Sequence, residues 1–295
     1  MIRLYSGFDL FKKPSIYMNE PSLKRFEILA GVLNSGLGGS VQLDAAALEL
    51  AAAFVPELHP EVWIARLDEI GHEAAALLRT RSGPPVLQLI DFLARDQGYF
   101  GREPMVFEDP NNSFLNEVLV RRTGLPIALA VVYLEVGRRA GVALEGLAFP
   151  GRFLVRATDD SALIIDPFAG EVVSTPGIET LLMKYANGDA RYDPRVLPPS
   201  SKREILHRML NNLKQLYLHN EAWEHVLACC TRILLLAPES ALEYCNRGTV
   251  YETLECVPAA IVDYEHFLAL APQDPKAKAV QARLVALRRV QPTVH

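Results

Sequence analysis

The chain has 295 residues, half of them apolar, with a formal net charge of -5 and a pI near 5.8. That length suits two or three domains and that apolar fraction a sizeable core, which excludes extended disorder away from the termini. The acidic balance gives no support to nucleic-acid binding, which normally leaves a basic patch or stripe. The longest apolar run, Leu125 to Leu134, covers ten residues, where a membrane-spanning helix needs about 20.

The opening stretch, MIRLYSGFDLFKKPSIYMNEP, carries charges and prolines where a signal peptide needs an unbroken apolar segment, so a cytoplasmic location is expected. From Pro21 to about Phe107 the pattern is helical, with segments near 22–34, 44–55, 60–80 and 85–97 separated by Gly or Pro. The glycine-rich SGLGGS at 35–40 follows a helix rather than a strand and reads as a connector, not a dinucleotide loop. Asn112 or Ser113 is placed to cap a helix running to about Arg122, which Thr123-Gly124 breaks. Pro126 then sits in the first turn of a second helix, where its missing N–H costs nothing, and Gly141 ends that helix after Ala140.

Beyond Gly141 the texture changes to short strand-like runs: Leu144–Phe149, Arg152–Ala157, Leu163–Asp166 and Glu171–Val173. The polar turn Thr158-Asp159-Asp160-Ser161 predicts an antiparallel hairpin between the second and third. A helix over 176–185 follows, then the Pro- and Asp-rich NGDARYDPRVLPPSS at 187–201, the best domain boundary in the chain. Next comes an internal repeat. ILLLAPES (233–240) and FLALAPQD (267–274) match at a spacing of 34 residues, and Gly248, Tyr251, Ala260, Tyr264 and Pro272 fall where a tetratricopeptide repeat wants them. The first copy is looser, with Lys214 at the glycine position, and KAKAVQARLVALRRV after Pro275 is an amphipathic helix suited to capping the pair. Two repeats rarely fold alone, so the array is expected to pack on the preceding region.

The order of helix, tight turn, helix start and strands carrying Arg152 and Asp166 resembles the transglutaminase-like (papain-type) core. There a cysteine at a helix start is the nucleophile, a histidine on one strand its base, and an aspartate on the next strand the orienting group. A closer resemblance is to the bacterial SirB-type (invasion-regulator) family, which joins such a core to tetratricopeptide repeats. DPNNSFLNEVLVRRTGLPIALAVVYLEVGRRAGV (109–142), LAFPGRFLVR (147–156) and IIDPFAG (164–170) carry it. The resemblance implies an α+β protein. It has a helical N-terminal region packing on the core (1–107), a transglutaminase-like core of helices and antiparallel sheet (108–190), a linker (191–201), and two repeats with a capping helix (202–295).

Transferred residue by residue, the triad does not survive. The helix start offers Pro126 and Ile127, the phrase that usually reads Pro-Gly-His-Phe has Arg152, and only Asp166 remains. No histidine lies between Glu73 and His207 and no cysteine before Cys229, so the core has no Cys–His dyad of its own. Arginine stays protonated and is no base. It can instead pair bidentately with Asp166, provided the hairpin register puts both on one face; a three-residue loop at 158–160 sets 152 opposite 166.

Arg121 and Arg122 suit a helix C-terminus, and Glu135 a surface pair with Arg139 four residues on. A sharper reading is a pocket of Asn112, Asn116, Arg122 and Arg152 near the start of the 126–140 helix, suited to an anion or a peptide carboxylate. His72-Glu73 lacks a second histidine at position 76 and is no zinc motif. His207, His219, His225 and His266 share no ligand spacing and read as wet helix faces; Trp63 and Trp223 read as packing residues. The four cysteines, all in the last quarter, read as small buried residues. No catalytic residue, metal or cofactor is expected. The function expected is that of a non-catalytic scaffold binding a protein or peptide through its repeats, with neither nucleic acid nor membrane as partner. The alternative is a hydrolase or transferase built around Ser113 and Asp166.

Overall fold

A computed structural model describes residues 20–102, 109–160 and 162–290. The opening stretch 1–19, the segment 103–108, Ser161 of the polar turn and the final residues 291–295 lie outside that range. The N-terminal part folds as α1 (Glu20–Asn34), α2 (Leu43–Ala51), α3 (Pro60–Thr80) and α4 (Pro85–Asp91). Proline opens α3 and α4, where no N–H is missed. The helix expected over 85–97 divides, because the chain widens into a π-turn over Phe92–Asp96. That expected over 44–55 stops at Ala51, since Phe54 and Val55 both donate back to the Ala51 carbonyl in a tight turn.

After a 3-10 turn at Pro110–Asn112 come α5 (Leu115–Arg121) and α6 (Pro126–Ala140). Neither Asn112 nor Ser113 caps α5: Phe114 stands at its N-cap, and Asp109 caps the 3-10 turn by accepting from the Asn111 N–H. Helix α6 is the hub. Ile127 to Tyr133 are all buried, because α3 and α2 cover one side, the sheet another and the first repeat helix a third. A helix apolar all round needs such surroundings.

The sheet is an antiparallel meander, β1 (Leu144–Leu147), β2 (Leu154–Ala157), β3 (Ile164–Asp166) and β4 (Glu171–Val172), in sequence order. The β2–β3 hairpin forms as the polar turn predicts. Two details differ. Arg152 precedes β2 instead of opening it, because Gly151 adopts φ +66° and the Arg152 N–H turns back to the Phe149 carbonyl. The register pairs Val155 with Ile165 and Arg156 with Ile164, two residues away from the one that sets 152 across from 166. Asp160 causes the shift: its carboxylate accepts from the Ala162 N–H and its carbonyl from the Leu163 N–H, folding the loop about itself. A two-residue shift preserves the face, so Arg152 and Asp166 still point the same way.

Helix α7 (Thr175–Ala186) leads to the repeats, α8 (Lys202–His219), α9 (Trp223–Leu236), α10 (Ala241–Thr253) and α11 (Val257–Leu270), capped by α12 (Ala277–Val290). The 34-residue period is exact in the backbone: α9 and α11 begin and end 34 residues apart, and Glu221 and Glu255 take the same left-handed conformation before them. A Cβ on Gly248 would lie 2.8 Å from the Tyr264 ring, which is why that repeat position wants glycine. Its counterpart Lys214 reaches instead across to Glu243 on α10, Nζ to Oε2 2.6 Å, with both side chains buried. One apolar cluster runs from Phe26 on α1 through α6 and β2 to Val250 on α10. The array therefore packs on the region before it, as its small size requires.

Candidate functional site

Asp166 ends β3 and is 5 % exposed. Its Oδ1 accepts from the Phe168 and Ala169 N–H groups at 2.9 and 3.3 Å, so the carboxylate also ties the turn that follows the strand. Arg152 arrives from the turn before β2, held in place by Gly151, where any side chain would run into the Tyr185 ring. The guanidinium carbon lies 4.6 Å from the centre of the Phe168 ring and 5.8 Å from that of Tyr185. Its Nε stands 4.0 Å from Asp166 Oδ2, an ion contact but not a hydrogen bond. The bidentate pair expected from sequence does not form. The shifted register sets the two Cα atoms diagonally, and the aromatic rings draw the guanidinium plane off the carboxylate. Burial pushes the Asp166 carboxyl above its ordinary range; Arg152 and then the two backbone N–H groups oppose this. Nearby Tyr133, whose hydroxyl donates to the Tyr99 carbonyl at 2.9 Å, is likewise raised by burial and by Asp166.

Pro126 and Ile127 form the first turn of α6, with Leu125 as an N-cap that supplies no side-chain acceptor. They face Arg152 across a cavity of about 510 Å³ whose far wall is α8. Arg208, Asn212, Gln215 and His219 line that wall. Arg208 bridges the halves: its Nη2 donates to the Phe149 carbonyl at 3.1 Å and to that of Arg152 at 2.7 Å, with its guanidinium over the Phe153 ring. Burial lowers its pKa, yet an arginine stays charged at neutral pH.

The four residues grouped from sequence do not share this cavity; Arg152 alone lines it. Arg122 is the left-handed C-cap of α5 at φ 57°, and its Nη1 donates to the Gln97 carbonyl at 2.8 Å. Asn116 is buried, its amide donating to Glu117 Oε1, and buried Asn112 supplies the carbonyl that accepts from the Leu125 N–H. Sequence reasoning missed Arg208, Asn212, Gln215 and His219. Their spacing of four, three and four puts polar groups along one face of a helix, and that was a signal available to be read. His219 brings an imidazole to the cavity rim, but no cysteine lines it. Cys229 and Cys230 are buried on α9 and burial pushes both thiols up. The other histidines are not all at wet faces: half-buried His225 stacks on Tyr217, ring centres 4.6 Å apart, whereas His266 is exposed as expected and stacks on Tyr244 at 4.9 Å.

Elsewhere the charges are structural. Arg121 pairs with Asp109 at 2.7 Å. Glu135 meets Arg139 at 2.9 Å as expected, but in a buried network with Arg138 and Asp44 instead of on the surface. Trp63 and Trp223 pack against the main core. Among the described residues no cluster of His, Cys, Asp and Glu could hold a metal, and no helix is long and apolar enough to cross a membrane.

A small antiparallel sheet wrapped on a buried helix, followed by paired helices on a 34-residue period, defines a transglutaminase-like protein with tetratricopeptide repeats. The transglutaminase-like superfamily matches residues 61–211 and the tetratricopeptide repeat residues 213–285, a division that falls within α8. A UPF0162 protein of Xylella fastidiosa is 35% identical over 209 residues, 69% of this chain and 74% of that one. One of Vibrio cholerae is 29% identical over 260 residues, 87% and 96% of the two chains. Protein SirB1 of Salmonella typhimurium is 25% identical over 184 residues, 62% and 68%. The chain belongs to this UPF0162/SirB1 family of the transglutaminase-like superfamily. No solved structure matches it.

Proposed function

We propose that this chain is a non-catalytic scaffold: its repeats bind a protein or peptide partner, and its degenerate core orients them. One observation carries the reading. Where an imidazole would stand beside Asp166 there is Arg152, and opposite it the helix start carries Pro126 and Ile127. That set holds no nucleophile, and the carboxylate of Asp166 is left without an imidazole to orient. The alternative, chemistry at Ser113, would need a base on a hydroxyl that is buried and makes no hydrogen bond among the described residues. The division into an N-terminal region (1–107), core (108–190), linker (191–201) and repeats (202–295) belongs to the same reading. So does a cytoplasmic location, which suits four cysteines kept as free thiols.

Since α8 and α9 share the main core, cutting off residues 202–295 would strip the core as well as the repeats. The partner surface is better probed on the folded chain, through exposed Leu242 on α10 and Val285 on α12. A partner captured by the wild type and lost with Leu242→Glu, Val285→Glu supports the scaffold. Turnover of amide or ester substrates above an Asp166→Asn control overturns it.

A further inference from the structure

The cavity between the refilled reaction centre and α8 has a composition of its own. Arg152 and Arg208 both line it, and among the described residues no carboxylate does. Arg208 donates only to backbone carbonyls and has no acidic partner among the described residues. The Arg152 side chain donates no hydrogen bond among the described residues. Its Nε is buried and unpartnered, with only the 4.0 Å contact to Asp166. Two fixed cations against one carboxylate leave a positive charge over, which favours an anion that enters. Beside these cations Ile127, Phe153 and Leu216 form an apolar wall.

We infer that this cavity binds a carboxylate attached to a branched aliphatic body, the carboxylate between Arg152 and Arg208 and the body against Ile127, Phe153 and Leu216. A volume of about 510 Å³ lies within the usual range for small-ligand sites. It admits either the C-terminal residue of a peptide or a free branched-chain acid. Although α8 supplies its far wall, this site needs no partner bound on the repeats, so it stands or falls independently of the scaffold reading.

Isothermal titration of the full chain with 4-methylpentanoate, N-acetyl-leucine, acetyl-alanyl-leucine and N-acetyl-leucinamide tests it. At least one carboxylate should bind at millimolar concentration or below, and the amide about tenfold or more weaker than N-acetyl-leucine. Arg152→Met should weaken the acids by about ten- to a hundredfold, and Arg152→Lys less. Tighter binding of the dipeptide assigns a peptide end, and tighter binding of 4-methylpentanoate a free acid. No binding by any acid, equal binding of the amide, or undiminished affinity in a folded Arg152→Met chain overturns the inference. If that variant does not fold, the acid–amide comparison on the wild type decides alone.

Discussion

Replacing Arg152 by methionine removes the cation while leaving an unbranched apolar stem over Phe168, so the loss is mainly electrostatic. Unit charges 4.0 Å apart interact by about 4 kcal/mol at an effective dielectric of about 20. Releasing the guanidinium from its own partial burial returns part of that, so the net cost at neutral pH should be about 1–3 kcal/mol. The sign of its pH dependence is fixed by Asp166, whose pKa is already raised by burial and loses its main opposing influence with Arg152. A carboxyl with a raised folded-state pKa contributes stability fully present below its unfolded value, about 3.9, and lost as pH rises through the folded pKa. The variant's deficit should therefore be largest near neutrality and shrink as the pH falls toward the ordinary carboxylate range. Urea unfolding of both proteins at about pH 8 and about pH 5 measures this. A variant as stable as wild type at the higher pH, or a deficit equal at both, would refute the electrostatic account of Arg152.

Asp166→Asn keeps an oxygen for the Phe168 and Ala169 N–H groups, whereas Asp166→Ala orphans both. The alanine variant should be less stable than the asparagine variant by about 1–3 kcal/mol in the same urea assay. Lys214→Met leaves Glu243 buried without its cation, with only the Asn246 amide donating to it, which should cost about 3–5 kcal/mol. Lys214→Met with Glu243→Leu should recover most of it, measured as a double-mutant cycle of unfolding free energies. Gly248→Ala drives a Cβ to 2.8 Å from the Tyr264 ring. Despite the better helix propensity of alanine it should destabilise by about 1–3 kcal/mol, read as a lowered thermal midpoint.

The repeats were legible from sequence because a period of 34 residues fixes which side chains meet from one helix pair to the next, and both copies obey it down to the left-handed Glu221 and Glu255. Lys214 looked like a defect in that pattern. Only the packing shows it as the donor to Glu243 that replaces the glycine contact. Helix α6 was legible from its proline start, its apolar run and the glycine after it. The extent of β2 was not, since whether Arg152 continues the strand depends on the φ of Gly151 and on the Tyr185 ring packed over it.

Residue types alone determined that this core lacks a thiol and an imidazole between Glu73 and His207, because no folding supplies an atom the chain does not contain there. Which polar groups would gather around Arg152 was decided by tertiary structure. Asn116 and Arg122, closer in sequence, turn to local and backbone partners and Asn112 does not line the cavity, while α8, more than 50 residues away, contributes Arg208 and His219 to its wall. Helical spacing could set those α8 groups on one face. Only the burial of the opposite face, Leu206, Leu210 and Leu213 in the common core, turns that face toward Arg152.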